Sequence, residues 1–278
     1  MKKKIAMLLS AAMVFSVALT GCGNASAGGS AAGSSAAGSA DAGEAKAMVY
    51  AVEAGSAGEA VAKENGYQFN SVASQADALM EVASGTSDAA IIDLLMAGAM
   101  IGEGTSYPNL THTDKLTTEE YGVGCRKGSD LVSYINAVFA ESYADGSMER
   151  TAKVYGVHES LVEQPACEYE AAAESDVAYI QGKGTLLVGI TDFAPMDYQD
   201  DKGEWIGFDA DMARKVAEKL GVEVEFVVID WDNKIMELDS KNIDVVWNSM
   251  TLTDEVKAAM DCSNAYCNNA QVVVVPAE

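Results

Sequence analysis

Along residues 47–278, short apolar segments alternate with amphipathic ones, and after a polar break at residues 164–183 the alternation begins again. Apolar runs of about four to eight residues read as buried strands, and segments with apolar positions three and four apart read as helices. A strand–helix rhythm that runs twice leads to open, mostly parallel α/β sheets, because parallel neighbours need a long crossover between them. Strands are expected near residues 47–51, 89–92, 121–125, 186–190, 222–229, 243–247 and 272–275. Helices are expected near 56–65, 74–84, 130–145, 148–155, 207–220, 235–238 and 254–260. Ser56 and Glu59 have the spacing of a capping box. In open α/β sheets ligands sit beyond the carboxyl ends of the strands. That rule selects Gly55 and Ser56, Asp93, Thr191 and Asp192, and Ser249, Met250 and Thr251.

The first 46 residues follow a different logic. Lys2, Lys3 and Lys4 precede an apolar run over residues 5–19 that ends in Leu19-Thr20-Gly21-Cys22. The run is shorter than the ~20 residues of a bilayer span and fits a secretory signal. Its end resembles the bacterial lipoprotein signal, in which the cysteine is lipidated and becomes the mature N-terminus; a plain signal peptide with a chance cysteine is the alternative. Residues 22–46 are almost wholly Gly, Ala and Ser and read as a flexible tether. The expected product is anchored through Cys22 to the outer face of the cytoplasmic membrane.

The chain carries 42 acidic and 18 basic side chains, a formal charge of −24. Loss of residues 1–21 removes three lysines and no acids, which takes the charge to −27. This balance excludes a nucleic-acid partner, which requires clustered Lys and Arg. Cys125, Cys167, Cys262 and Cys267 match no zinc spacing, and His112 and His158 lie far apart. No metal and no cofactor is expected. For Cys262 and Cys267 a disulfide and free thiols both remain open. Gly182-Lys183-Gly184 lacks the spacing of a phosphate loop, and no catalytic motif stands out.

Several blocks carry a specific resemblance. Leu187-Val188-Gly189-Ile190-Thr191-Asp192, Pro195-Met196-Asp197-Tyr198, Gly207-Phe208-Asp209-Ala210-Asp211-Met212-Ala213, Lys241-Asn242-Ile243-Asp244-Val245-Val246 and Met250-Thr251-Leu252-Thr253-Asp254-Glu255 occur in order. Together they resemble the beginning of a polar amino-acid-binding protein of the ABC-importer type, the bacterial extracellular solute-binding proteins of family 3. The stretch from Val52 to Glu59, the stretch from Gly85 to Asp93, and Tyr121-Gly122-Val123-Gly124 with Lys127-Gly128-Ser129-Asp130-Leu131 resemble the later part of the same family.

The two parts stand in reversed order. The resemblance therefore implies an α/β, two-lobed periplasmic-binding-protein-like fold of type II, circularly permuted, with a hinge between the lobes. The implied division is a signal at 1–21, a tether at 22–46, the family's second lobe at 47–117, and its first lobe at 118–163 plus 184–278. Residues 164–183 would join the usual termini. Permutation is tolerated where natural termini lie close together and the new cut is exposed.

The resemblance also implies a function: closure of two lobes on an amino acid or related amine-bearing solute, delivered by a monomer to ABC permease subunits. No enzyme is expected. A sensing or docking module of the same fold, and more remotely a dehydratase-like enzyme, are the alternatives. Asp93 would pair with the ligand's ammonium, unless it is a solvated carboxylate capping the next helix. The turn of Ser56, Ala57 and Gly58 would offer N–H groups to a carboxylate, and it also reads as a plain helix cap. Ser249, Met250 and Thr251 would supply polar backbone and hydroxyl groups. Asp192, Phe193, Tyr198 and Trp231 complete the candidates, with core packing open for Tyr198 and Trp231. Where family members usually carry an arginine for the α-carboxylate, this chain has Val256. That change favours an amine-bearing solute.

Overall fold

The computed structural model describes residues 47–278; the expected signal, Cys22 and the tether lie outside the described residues. The chain opens with strand β1 (Val49–Glu53), helix α1 (Ala57–Glu64), β2 (Gln68–Val72), α2 (Gln75–Ser84), β3 (Ala89–Asp93), α3 (Leu94–Met100) and β4 (Leu110–Lys115). β5 (Glu119–Cys125) is followed by α4 (Leu131–Ala144), α5 (Ser147–Val154) and α6 (Asp176–Lys183). The second run comprises β6 (Thr185–Ile190), the short strands β7 (Tyr198–Gln199) and β8 (Trp205–Ile206), α7 (Phe208–Leu220), β9 (Glu223–Val228), α8 (Lys234–Asp239) and β10 (Val245–Thr251). It ends with α9 (Asp254–Ala259), β11 (Asp261–Cys262), β12 (Cys267–Asn269) and β13 (Gln271–Pro276).

Two larger sheets result. The first has the order β2-β1-β3-β13-β4, and the second runs β11-β5-β10-β6-β9 with β12 also on β5. The central strands are buried along their whole length, β3 as Ala-Ala-Ile-Ile-Asp and β10 except at Thr251, as expected where helices cover both faces of a parallel sheet. Leu79, Ala90, Ile92, Val272 and Val274 form the main core of the first sheet. Phe139, Trp247, Tyr266, Val188 and Phe208 stand in the core of the second, with the Phe139 and Trp247 ring centroids 5.6 Å apart.

Each sheet borrows one strand from the other half of the chain. β13 pairs antiparallel with β3 and β4, and β5 pairs antiparallel with β10. The chain therefore passes between the sheets twice, at residues 116–118 and at Ala270. The two passages touch: Leu116 N–H donates to Gln271 O at 2.8 Å and Gln271 N–H to Thr117 Oγ1 at 2.8 Å. Although expected with residues 184–278 in one lobe, β13 hydrogen-bonds in the first sheet.

Other differences have local causes. The expected linker 164–183 contains α6, capped where Ser175 Oγ accepts from Ala178 N–H, with Val177 and Ile180 buried in the second core; its two apolar positions three residues apart are one helical face. Strands β2 and β4 escape a hydrophobicity reading because they are polar: Gln-Phe-Asn-Ser-Val and Leu-Thr-His-Thr-Asp-Lys. Cys262 and Cys267 are both free. Cys262 stands opposite Gly124 and Cys267 opposite Tyr121 on the same strand, three positions or roughly 10 Å apart, beyond the reach of a disulfide.

Candidate functional site

The carboxyl ends of β1, β3 and β10 converge on a cavity of about 520 Å³, within the range of small-molecule sites. The first sheet contributes Glu53 from the end of β1, Ser56 and Ala57 from the turn into α1, Gln75 from the start of α2, and Asp93 from the end of β3. The second contributes Phe193, Trp231, Lys234, and Asn248 through Thr251. Val256 of α9 lines the same wall without a charge.

The turn after β1 forms because Gly55 adopts φ +68°, a conformation that costs a side-chain-bearing residue energy. Ser56 then caps α1, its Oγ accepting from Glu59 N–H at 3.1 Å, while Glu59 Oε2 accepts from Gly55 N–H at 3.1 Å. Gly58 is not among the lining residues. A Cβ built on it would lie 2.7 Å from Ile91 O, so its role is close packing of α1 on β3.

Asp93 borders the cavity, yet its carboxylate is already committed. Oδ1 accepts from Tyr121 OH at 2.7 Å, from Gln271 Nε2 at 3.1 Å and from Asn269 Nδ2, while Oδ2 accepts from Gln75 Nε2. It is 4% exposed and makes no cap bond to α3, so it is neither solvated nor a helix cap. Burial first, and the neighbouring Glu119 second, hold its pKa well above the usual carboxylate range. Gln75 comes from α2, and the other three partners come from β5, β12 and β13, strands that adjoin the two passages between sheets.

On the opposite wall, Ser249 has φ 51°, an uncommon conformation for a non-glycine residue, at the point where the β10–β5 register slips between Val246 and Met250. Its N–H and Oγ donate to Asp209 Oδ2 at 2.7 and 3.2 Å. Asp209 also accepts from Tyr266 OH at 2.7 Å, and burial pushes it up to about 6. Asn248 accepts from Thr191 N–H at 2.8 Å and donates to Asp197 Oδ2 at 2.8 Å. These bonds fix the end of β10 against β6.

Phe193 and Trp231 are buried lining residues, 2% and 7% exposed. Asp192 is exposed and outside the lining; partial burial, and then Asp77 across from it, raise its pKa. Tyr198 lies elsewhere, paired with Ile206 in the β7–β8 ribbon.

Two charged groups at the centre were not singled out by sequence reasoning. Glu53 is 3% exposed and its Oε1 has no hydrogen-bond partner. Burial, only partly offset by Lys234, pushes it up to about 8. Lys234 is 7% exposed; its Nζ donates to Gly55 O at 2.8 Å and Trp231 O at 3.1 Å, and lies 4.9 Å from the Trp231 ring centroid. Burial lowers its pKa. A Glu at a strand end and a Lys at a helix start both read as solvated, which hid them. In all, seven carboxylates and two lysines line the cavity.

Comparison with known proteins bears on the second run of the chain. The family of bacterial extracellular solute-binding proteins, family 3, matches residues 186–278. The L-cystine-binding protein TcyJ of Escherichia coli (strain K12) is 41% identical over 88 residues, 31% of this chain and 33% of that protein. A probable histidine-binding protein of Neisseria gonorrhoeae is 32% identical over 111 residues, 40% of this chain and 41% of the relative. The crystal structure of an ancestral cyclohexadienyl dehydratase shares 36% identity over 33% of this chain and 38% of its own, with a TM-score of 0.30. The chain spans about a third of the length of the first curated relatives it matches.

Proposed function

We propose, from the match of residues 186–278 to the bacterial extracellular solute-binding proteins of family 3, that the whole chain captures a small amine-bearing solute, an amino acid or a close relative, between its two sheets. The observation that carries this reading is the cavity itself. It lies at the carboxyl ends of strands from both sheets, the place where open α/β sheets bind ligands, and acids outnumber lysines in its lining. Ser56, Ala57, Asp93, Phe193, Trp231, Ser249, Met250 and Thr251 form its walls. Closure would turn on the paired passages at residues 116–118 and Ala270, since hinge motion is absorbed by a few element-terminal residues.

The same reading makes the chain a circular permutant. Both sheets have three parallel strands followed by one antiparallel strand borrowed from the other half, a likeness of the two lobes that supports this reading. One lobe is residues 47–115 with β13; the other is residues 119–163 with 176–269, α6 included. A lipid anchor at Cys22, a monomeric state, delivery to an ABC permease and the absence of catalysis belong to this proposal.

A thermal-shift screen of the protein against the twenty amino acids and L-cystine tests it. A bound solute at 100 times its Kd stabilises the fold by ~2.7 kcal/mol. No stabilisation by any of them would overturn the amino-acid reading.

A further inference from the structure

The one buried cation of the cavity and its one buried carboxyl oxygen without a partner stand on opposite lobes. Lys234 reaches in from α8 of the second lobe, and Glu53 from the end of β1 in the first. An ammonium has three N–H donors. Lys234 spends two on the carbonyls of Gly55 and Trp231, and none of its hydrogen bonds goes to a carboxylate. Glu53 offers Oε1, buried and unpartnered. Leaving such an atom unsatisfied in the interior costs energy, and a ligand donor would remove that cost.

We propose that Lys234 and Glu53 are the two poles of a zwitterion clamp, Lys234 receiving a carboxylate of the solute and Glu53 its ammonium. This inference rests on the solute-binding reading and names which groups do the holding. Asp93 is the competing anchor for an ammonium, but four side-chain donors already occupy its two oxygens. Lys63 is the other lysine of the lining, and it is tied at 2.7 Å to Glu59 with its side chain 59% exposed. Because the two poles belong to different lobes, a solute that bridges them draws the lobes together. A solute with an amine and no carboxylate would meet Glu53 but leave the spare donor of Lys234 unused.

The test uses the full chain, the twenty amino acids and L-cystine, and for each that binds, the matching amine without the carboxylate. Histamine serves for L-histidine, agmatine for L-arginine and cystamine for L-cystine. The clamp predicts that the amine binds the wild type about 30-fold or more weakly than the amino acid, the loss typical of an abandoned buried charge contact. Lys234→Met lowers amino-acid affinity to the level of the amine and leaves the amine within about threefold; Lys234→Arg restores most of the loss. Glu53→Gln weakens both probes. Equal binding of an amino acid and its amine by the wild type overturns the clamp and needs no variant that might fail to fold. So does a folded Lys234→Met protein that binds the amino acid like wild type, which would make Lys234 only a bridge to the Gly55 carbonyl. If no amino acid binds the wild type at all, the solute reading falls and the clamp with it; if one binds and Lys234 proves indifferent, only the clamp falls.

Discussion

Gly55 and Asp232 meet across the cleft: a Cβ built on Gly55 would lie 2.7 Å from Asp232 Cα and 2.8 Å from its Oδ1. Gly55 belongs to the turn after β1, and Asp232 to the 3-10 turn that carries Trp231. The two lobes therefore touch backbone to backbone at this edge. Gly55→Ala adds a methyl where none fits, at φ +68°, a backbone conformation worth roughly 1–2 kcal/mol against a non-glycine residue. The variant is expected to melt lower than wild type and, on the proposed function, to bind at least tenfold more weakly any amino acid that stabilises the wild type, because the methyl must hold the lobes apart. Calorimetric titration beside a melting curve checks both.

Asp93 joins elements that the chain brings together from far apart. Asp93→Ala strands the donors of Gln75, Tyr121, Asn269 and Gln271 in the interior. Breaking such a buried network costs ~3–5 kcal/mol. Urea unfolding of the solute-free protein reads this as a lower midpoint. A midpoint within error of wild type would mean that these bonds do not hold the passages between the sheets.

Glu53 makes stability depend on pH. Its unfolded value lies near 4.5 and its folded value is pushed up to about 8. Between those limits the folded state binds more protons than the unfolded state, so stability is fully present below 4.5 and declines as pH rises toward 8. Lys234, Asp77, Gln75 and Thr191 face this carboxyl. Asp93, Asp197 and Asp209, also raised by burial, push in the same direction. The solute-free protein should lose melting temperature from pH 5 to pH 8. Glu53→Gln should flatten that slope; an identical slope in the variant would remove Glu53 as a contributor.

The proposed permutation has a direct test. Ala51 pairs with Ala90, and Ala90 with Val274, so the start of β1 and the end of β13 lie in one row, two strand spacings or ~10 Å apart. A short Gly-Ser bridge of about five residues spans this. A variant so joined, and opened within residues 168–174 where no regular element occurs, should fold and bind the same amino acid with wild-type affinity. Failure to fold would show that the order of the halves matters for reaching this structure.

What the sequence discloses depends on whether a feature is local. The cap at Ser56 and Glu59 is readable because its three-residue spacing is its geometry. The helix at α6 is hidden by an Ala- and Glu-rich approach that holds one proline, and β2 and β4 are hidden by their polar faces. Asp93 can be placed at a strand end, but its occupancy cannot be read from sequence, since its partners Asn269 and Gln271 lie more than 170 residues away. Glu53 and Lys234 look like ordinary surface charges along the chain. Both are buried only in the folded chain, against groups far away in sequence such as Thr191 for Glu53 and Gly55 for Lys234, and a buried charge needs a partner where a solvated one does not.

Isothermal titration of the full chain with the amino acid that stabilises it most tests the central claim most directly. A cleft that closes on one solute predicts a single saturable site per chain, lost when Ser249→Trp fills the end of β10. Absence of saturable heat with every amino acid and with L-cystine, in a protein that melts cooperatively, would contradict it.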